Sequence, residues 1–174
     1  KPLWDKHHIL SHQHLIQKTL QTPKWGVDFQ YEVLAYRNQV LDGHEEFVTD
    51  RSPLDNLAYF LMQNSSGATE KETEDYIKAC KQAFSKFTGF IAIPYTDQVV
   101  LEDDGKRINN KYYQLYSNSV FNLSASILKK EISTLRGDSL SMWKWEDRVL
   151  ATNKLLNHIL QINPNEETNS TSNS

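Results

Sequence analysis

The chain reads EFVTDRSPLDNLAYF over residues 46–60, and this stretch sets the predicted fold. Phe47-Val48 is a short apolar run typical of a β-strand. A helix start follows it, because Ser52 is a favoured N-cap, Pro53 suits the first helical position and Asp55 stands where the acid of a capping box belongs. The pattern predicts a strand that gives way to a helix within a few residues.

Asp50 and Arg51 lie in this predicted turn between strand and helix. In an open α/β sheet, ligands bind beyond the carboxyl ends of the strands. An acid at that place can orient hydrated Mg²⁺, and an arginine can contact a phosphate or carboxylate with two nitrogens. The alternative is structural: Asp50 caps the turn and Arg51 pairs with a surface acid. The residues alone favour neither.

The rest of the chain alternates between helical and strand patterns. Helices are predicted over residues 28–41, 52–62, 69–87 and 144–161, and a long helix that carries Tyr112 to Ile127 follows Asn110. A looser helical pattern covers 1–21, and strands are predicted at Phe90–Pro94 and Ser133–Arg136. Strands separated by helices predict βαβ units and a parallel sheet. We therefore expect one α/β domain over residues 1–163, followed by a disordered polar tail over 164–174.

Within the helix predicted from Asp28, the apolar residues are Phe29, Val33, Tyr36 and Val40, which step by three and four. Arg37 lies one residue off this stripe, which predicts a surface position, with an inward lean toward a ligand as the alternative. Among the later helices, Cys80 falls on an apolar stripe and is predicted to be a core residue.

A second candidate for chemistry is Asp103-Asp104-Gly105-Lys106-Arg107, in a long polar connection. Acids, a glycine and two bases suit a mobile lid whose cation closes over a phosphoryl group. A solvated charged loop is the alternative, and it is favoured when the segment is taken alone.

Composition excludes several functions. With 19 basic and 22 acidic residues, the formal net charge is -3, so no general nucleic-acid or anionic-membrane binding is expected. No apolar run approaches the ~20 residues of a membrane helix. The single cysteine rules out an internal disulfide and favours a reducing, cytoplasmic location.

Taken in order, these motifs resemble a known family. Residues 47–59 and 103–107, within about residues 28–160, look like the kinase-like P-loop ATPases related to the nicotinamide riboside kinase domain of NadR and to viral, thymidylate-like nucleotide kinases. The resemblance implies a three-layer α/β sandwich with a parallel sheet. It also implies ATP-dependent phosphoryl transfer, with Mg²⁺, to a small-molecule acceptor that is a nucleoside or nucleotide.

The resemblance also implies roles for individual residues. Asp50 would act near Mg²⁺, through water, and near the acceptor. Arg51 would contact the acceptor or its phosphate, and Arg107 would be the catalytic lid arginine. The residues expected to bind substrate are Arg37, Tyr59 and Lys106.

One departure concerns the phosphate-binding loop of this family. The sequence contains no Gly-x-x-x-x-Gly-Lys-Ser/Thr segment and only 6 glycines. We expect the first strand and this loop to belong upstream of Lys1. The alternative is a degenerate, non-catalytic binding or assembly module, in which Trp4, Trp25, Trp143 and Trp145 could form a partner surface. A weaker hypothesis is a metal site among the histidines of residues 7–14, where His8 and His12 are four apart.

Overall fold

Helices make up most of the structure, a computed structural model that describes residues 2–63, 65–92, 110–131, 136–139 and 145–162. The helices are α1 (Pro2–Lys6), α2 (His12–Gln21), α3 (Pro23–Leu41), α4 (Pro53–Gln63), α5 (Glu70–Phe84), α6 (Lys111–Glu131) and α7 (Trp145–Ile162). A 3-10 turn spans Ser65–Gly67, and two strands are present, β1 (Gly89–Ala92) and β2 (Arg136–Ser139).

The predicted three-layer α/β sandwich is wrong. In the described ranges the strands form a single two-stranded ladder, in which β1 and β2 pair in parallel from Gly89 with Arg136 to Ala92 with Ser139. Two strands of four residues cannot form the sheet layer of a sandwich, and the rest of the described secondary structure is helical. The fold is predominantly α-helical.

The strand predicted at Phe47-Val48 is also wrong. These residues have no regular secondary structure, and the side chain of Val48 is 93% exposed. A strand is stabilised by pairing and by packing of its side chains against a neighbouring layer, and this run has no strand beside it in the described structure. Two β-prone residues without a partner remain coil.

The chain divides into two compact units, which are described separately. The first comprises Lys1–Lys86 and Leu101–Ser133, and the second comprises Phe87–Val100 and Thr134–Ser174. The single domain predicted over residues 1–163 stays a prediction, and the tail at 164–174 lies outside the described residues.

The core of the first unit lies among helices α3 to α6. Its fully buried large side chains are Val27, Leu57, Phe60, Tyr76, Phe84 and Leu128. The rings of Phe60 and Tyr76 stack with centroids 4.2 Å apart, and the Tyr31 ring meets Tyr76 edge-on at 4.9 Å. Cys80 is buried beside them, as predicted. Burial raises the pKa of its thiol to about 12.

The helix starts were predicted well where capping residues are local. Ser52 Oγ accepts the Leu54 N–H at 3.2 Å, and Asp55 Oδ2 accepts the Ser52 N–H at 2.7 Å, so α4 begins at Pro53. Thr69 and Glu72 form the reciprocal capping box expected for α5. The predicted N-terminal sequence signals of both helices are confirmed.

Helix α3 departs from its prediction at both its start and its buried face. It begins at Pro23 rather than near Asp28. Phe29 is buried as predicted, but Tyr36 and Val40 are exposed. The buried positions follow Val27, Gln30 and Leu34 instead. Arg37 continues this line one turn further, and its side chain is half-buried.

The two C-terminal helices expose apolar residues. On α6, Ser124 and Leu128 face the core of the first unit, while Tyr112 and Leu123 are exposed. On α7, the sequence predicted that Val149 and Leu156 point inward, and both are exposed. Across the described helices, none has the length and apolar character needed to cross a membrane.

Candidate functional site

Four of the residues predicted for chemistry, Arg37, Asp50, Arg51 and Tyr59, come together where the chain enters α4. Together with Asp55, which binds Arg51, we call them the arginine site. Arg37 comes from α3, Asp50 and Arg51 from the preceding loop, and Asp55 and Tyr59 from successive turns of α4. The other two predicted residues, Lys106 and Arg107, lie outside the described residues.

The loop that carries Arg51 is held by short-range hydrogen bonds. Thr49 Oγ1 accepts the Arg51 N–H at 3.3 Å and donates to the Arg51 carbonyl at 2.9 Å. The next residue, Ser52, is fixed through its N–H and its hydroxyl to Asp55 Oδ2, at 2.7 and 3.1 Å. These contacts set the backbone on both sides of Arg51, although no strand precedes it.

The Arg51 guanidinium is oriented by two residues of α4. Nη1 donates to Asp55 Oδ1 at 3.2 Å and lies 3.4 Å from the Tyr59 hydroxyl, while Cζ lies 5.9 Å from the centroid of the Tyr59 ring. The Asp55 side chain is only 14% exposed, whereas that of Arg51 is 47% exposed. Nε and Nη2 of Arg51 make no hydrogen bond to the described residues, so one edge of the guanidinium is available to a ligand.

Arg37 is anchored to the first turn of α4. Its Nη1 donates to Asn56 Oδ1 at 2.7 Å and to the Ser52 carbonyl at 3.2 Å. As with Arg51, Nε and Nη2 have no hydrogen-bond partner within the described ranges. The alternative in which Arg37 leans inward therefore describes its position.

The two cations sit in different electrostatic surroundings. Burial lowers the pKa of Arg37, and the positive charge of Arg51 adds to this effect while Asp55 and Asp50 oppose it. Burial also acts to lower the pKa of Arg51, but Tyr59, Asp55 and Asp50 outweigh it, so the net pKa is raised. Both guanidinium groups remain charged at neutral pH, since the ordinary pKa of arginine exceeds 12.

Asp50 is exposed and makes neither a hydrogen bond nor an ion pair with the described residues. The turn is capped by Thr49, Ser52 and Asp55 instead, so the capping role considered for Asp50 is not the arrangement found. Of the two acids in the arginine site, Asp55 is paired with Arg51, and Asp50 is the carboxylate that is open to solvent.

Tyr59 connects the arginine site to α6. Its ring meets Phe121 edge-on, with centroids 6.1 Å apart. Tyr113 of α6 lies near enough to interact with Tyr59 and with the Gln63 side chain. Burial raises the pKa of the Tyr113 phenol. Aromatic side chains of α4 and α6 therefore adjoin Arg51.

The sequence interpretation missed Asp55 as part of the arginine site and Asn56 as the residue that anchors Arg37. Asp55 was recognised only as a capping residue, although its second oxygen binds Arg51. Asn56 is 2% exposed and accepts from Arg37. The available signal was an amide among the apolar residues Leu54, Leu57 and Ala58, since a buried polar side chain needs a fixed partner.

The histidines of residues 7–14 are used in packing. His7 Nε2 lies 2.9 Å from Glu32, His12 packs edge-on against Trp4, and His14 Nδ1 accepts the Leu10 N–H at 3.2 Å. His8 lies in the turn before α2, with a φ of 54°, so it does not share a helix face with His12. No group of three or more His, Cys, Asp or Glu residues in the described ranges could hold a metal ion.

The tryptophans proposed as a partner surface are half-buried where they are described. Trp25 stacks on Phe29 with ring centroids 5.1 Å apart, and Lys18 Nζ lies 4.4 Å from the centroid of the Trp25 ring. Trp4 packs against His12, as described above. Trp143 lies outside the described residues, as does the side chain of Trp145.

Comparison with known proteins gives the chain no relative. No family model, curated protein or solved structure matches it.

Proposed function

We propose that this chain acts in phosphoryl transfer to a nucleoside or nucleotide, and that the arginine site binds the phosphate-bearing acceptor. The observation that carries the proposal is the geometry of Arg51. Its guanidinium is held by Asp55 and Tyr59, is half-exposed, and retains two nitrogens without a partner among the described residues. A fixed planar donor of this kind suits a phosphate group, which it can bind through two parallel hydrogen bonds.

The neighbouring residues support an acceptor that carries both an anion and a ring. Arg37 provides a second positive charge at the same helix turn. The half-buried Tyr59 ring, which lies beside the Arg51 guanidinium and meets Phe121 edge-on, adds an aromatic side chain of the kind on which nucleobases stack. Under this proposal Arg51 and Arg37 bind phosphate oxygens, and Tyr59 orients the base or sugar. Lys106 and Arg107 keep their proposed roles as substrate-binding and lid cations.

Asp50 fits a water-mediated contact to Mg²⁺. Its carboxylate is exposed and has no partner among the described residues, and Mg²⁺ commonly binds one carboxylate, several waters and the oxygens of a phosphate ligand. Because the described residues contain no larger cluster of metal ligands, the phosphate would have to supply part of the coordination. When bound, Mg²⁺ would offset the negative charge of the phosphate.

ATP as the phosphoryl donor is the part of the proposal that the described residues do not fit. Pro53 has no N–H, the Leu54 N–H is bound to Ser52 Oγ, and the Asp55 and Asn56 N–H groups are bound to the Ser52 carbonyl. The start of α4 therefore offers no free amides to a triphosphate, and the sequence contains no glycine-rich loop of the Walker type. The proposed role of the described residues is therefore limited to the acceptor side.

A non-catalytic binding module is the second candidate, and the lack of free amides at the start of α4 supports it. The same arginine site would then bind a nucleotide without transferring its phosphate.

The proposed location is the cytoplasm, because the chain has one cysteine, Cys80, and it is buried and free.

The proposal is tested by isothermal titration of the chain with adenosine and thymidine monophosphates, with inorganic phosphate as a separate titrant. We compare the wild type with Arg51→Gln and with Lys71→Gln. Lys71 is an exposed lysine of α5 that pairs with Asp75 within its own helix, so its loss removes the same charge away from the arginine site. Loss of a hydrogen bond to a charged group predicts that Arg51→Gln weakens monophosphate binding by about tenfold to a hundredfold. Lys71→Gln should bind like the wild type.

Two outcomes would refute the proposal. One is a wild-type chain that binds neither monophosphate, and the other is equal binding by Arg51→Gln and Lys71→Gln. An assay for transfer from radiolabelled ATP separates the two candidate functions. Binding that depends on Arg51 without transfer identifies the binding module, and transfer that is lost in Arg51→Gln identifies the phosphotransferase.

A further inference from the structure

Polar contacts extend from Arg37 toward the core of the first unit. The Tyr76 hydroxyl of α5 donates to the Gln30 carbonyl of α3 at 3.2 Å. The Asn56 side chain of α4 lies near enough to the Tyr76 phenol to interact with it. At the outer end, Asn56 Oδ1 accepts from Arg37 Nη1 at 2.7 Å. Three helices thus contribute side chains to one polar network.

The inner members of this network are removed from water. Tyr76 is fully buried and Asn56 is 2% exposed. A buried polar atom without a hydrogen bond destabilises the fold. Among the described side chains, Asn38 Oδ1 is such an atom. Asn56 Oδ1 and the Tyr76 hydroxyl each have a hydrogen-bond partner, and bonded polar groups of this kind give rigidity to a buried network.

The chemistry of the two ends fixes the orientation of the Asn56 amide. An arginine side chain has only donors, so Asn56 must present its oxygen to Arg37, which leaves its NH₂ group on the side of Tyr76. A flipped amide would place NH₂ against the guanidinium and break the hydrogen bond to Arg37. Since Arg37 Nη1 also donates to the Ser52 carbonyl, both of its hydrogens are engaged. The guanidinium is held by that one nitrogen, which leaves Nε and Nη2 for a ligand.

We propose that Asn56, supported by Tyr76, is a positioning residue that presents Arg37 to a phosphate group at the arginine site. The inference rests on the function proposed above. A long side chain that is already ordered loses less conformational freedom when a ligand binds, so the network strengthens phosphate binding without touching the ligand. Arg37 is then a pre-ordered cation held from the buried side of the site, and Arg51 is the cation held on its half-exposed side.

The test uses two variants that leave Arg37 in place. Tyr76→Phe removes the hydroxyl and keeps the ring that stacks on Phe60, and Asn56→Leu removes the acceptor at similar volume. The matched control is Ser124→Ala, because Ser124 is buried on α6 and its hydroxyl donates to Val120 within the same helix at 2.9 Å. Thermal unfolding verifies that each variant folds. If Asn56→Leu does not fold, Tyr76→Phe alone tests the proposal.

Two readouts are measured on each variant. The first is the rate of water exchange of the Arg37 Nε–H, followed by NMR without ligand and assigned with Arg37→Lys. The second is the affinity for inorganic pyrophosphate, measured by phosphorus NMR titration. Ordering one long side chain predicts that Tyr76→Phe and Asn56→Leu weaken pyrophosphate binding by about twofold to tenfold. Both variants should also speed Arg37 exchange, and Ser124→Ala should change neither quantity.

The outcomes separate this inference from the function on which it rests. If Arg51→Gln loses pyrophosphate binding while Tyr76→Phe and Asn56→Leu keep it, the positioning role is overturned and the proposed function stands. Unchanged Arg37 exchange in both variants also overturns the positioning role. A wild-type chain that binds a monophosphate but not pyrophosphate overturns this inference alone, and one that binds neither overturns the proposed function as well.

Discussion

Gly67 lies against the first residue of α3, and adding a single methyl group there should destabilise the fold. A Cβ at position 67 would lie 2.9 Å from the Pro23 carbonyl carbon, 3.0 Å from its Cα and closer still to its Cβ. These atoms belong to a proline at the start of a helix, so they cannot rotate away. The φ angle of Gly67 lies outside the left-handed region, so the expected effect is steric.

Gly43 provides the matched control. It is exposed in the turn after α3, and its added Cβ would meet only the Val40 carbonyl oxygen, at 3.9 Å. Both Gly→Ala changes reduce the freedom of the unfolded chain by a similar amount, so the difference between them isolates the contact with Pro23. Overpacking of this kind costs about 1–3 kcal/mol. Gly67→Ala should therefore be less stable than Gly43→Ala by about 1–3 kcal/mol.

Urea unfolding followed by circular dichroism measures this difference. If the free energy of unfolding falls by about 2 kcal/mol per molar urea, the unfolding midpoints of the two variants should differ by about 0.5–1.5 M. The slopes themselves should agree, since the surface exposed on unfolding is the same. Equal midpoints for Gly67→Ala and Gly43→Ala would refute the close approach of the 3-10 turn to α3.

Three further predictions concern the core, the capping box and the cysteine. Leu57→Ala should lower the free energy of unfolding by about 2–5 kcal/mol, because Leu57 is fully buried, whereas Leu20→Ala, at a 71% exposed position, should change it by less than about 0.5 kcal/mol; urea unfolding compares them. Hydrogen bonds from Lys24 and from the cap of α5 lower the pKa of Glu72 from 4.5 to about 2. Its stabilising contribution is therefore complete above pH 4.5 and is lost as the pH falls toward 2; Glu72→Gln should flatten the thermal stability profile in that window, and an unchanged profile would contradict the ion pair. Burial raises the pKa of Cys80 to about 12, so a thiol-specific dye should react slowly at pH 8 in buffer and at the rate of a free thiol in denaturing urea; fast reaction in buffer would contradict its place in the core.

Local features of the sequence were sufficient to place the starts of α4 and α5. Ser52, Asp55, Thr69 and Glu72 bind backbone groups two or three residues away, so their partners are fixed by the sequence itself. Pro53 suits the first turn of its own helix, where no backbone N–H is needed.

The arginine site could be predicted in part. Asp50, Arg51, Arg37 and Tyr59 were named from the sequence, and the structure brings them to the start of α4. The wrong part was the strand expected before Asp50, which made the site the edge of a sheet. Asn56 was missed because its role depends on Arg37 and Tyr76, which come from two other helices.

The sequence by itself determined where most of the described helices begin and that Cys80 belongs to the core. The tertiary structure alone decided that Phe47-Val48 is coil, that α3 buries Gln30 and Leu34 rather than Tyr36, and that Arg37 is anchored to α4. The physical reason is the range of the interactions. A cap is satisfied within one helical turn, whereas a strand, a buried face or a buried amide is stabilised only by residues far away in the chain.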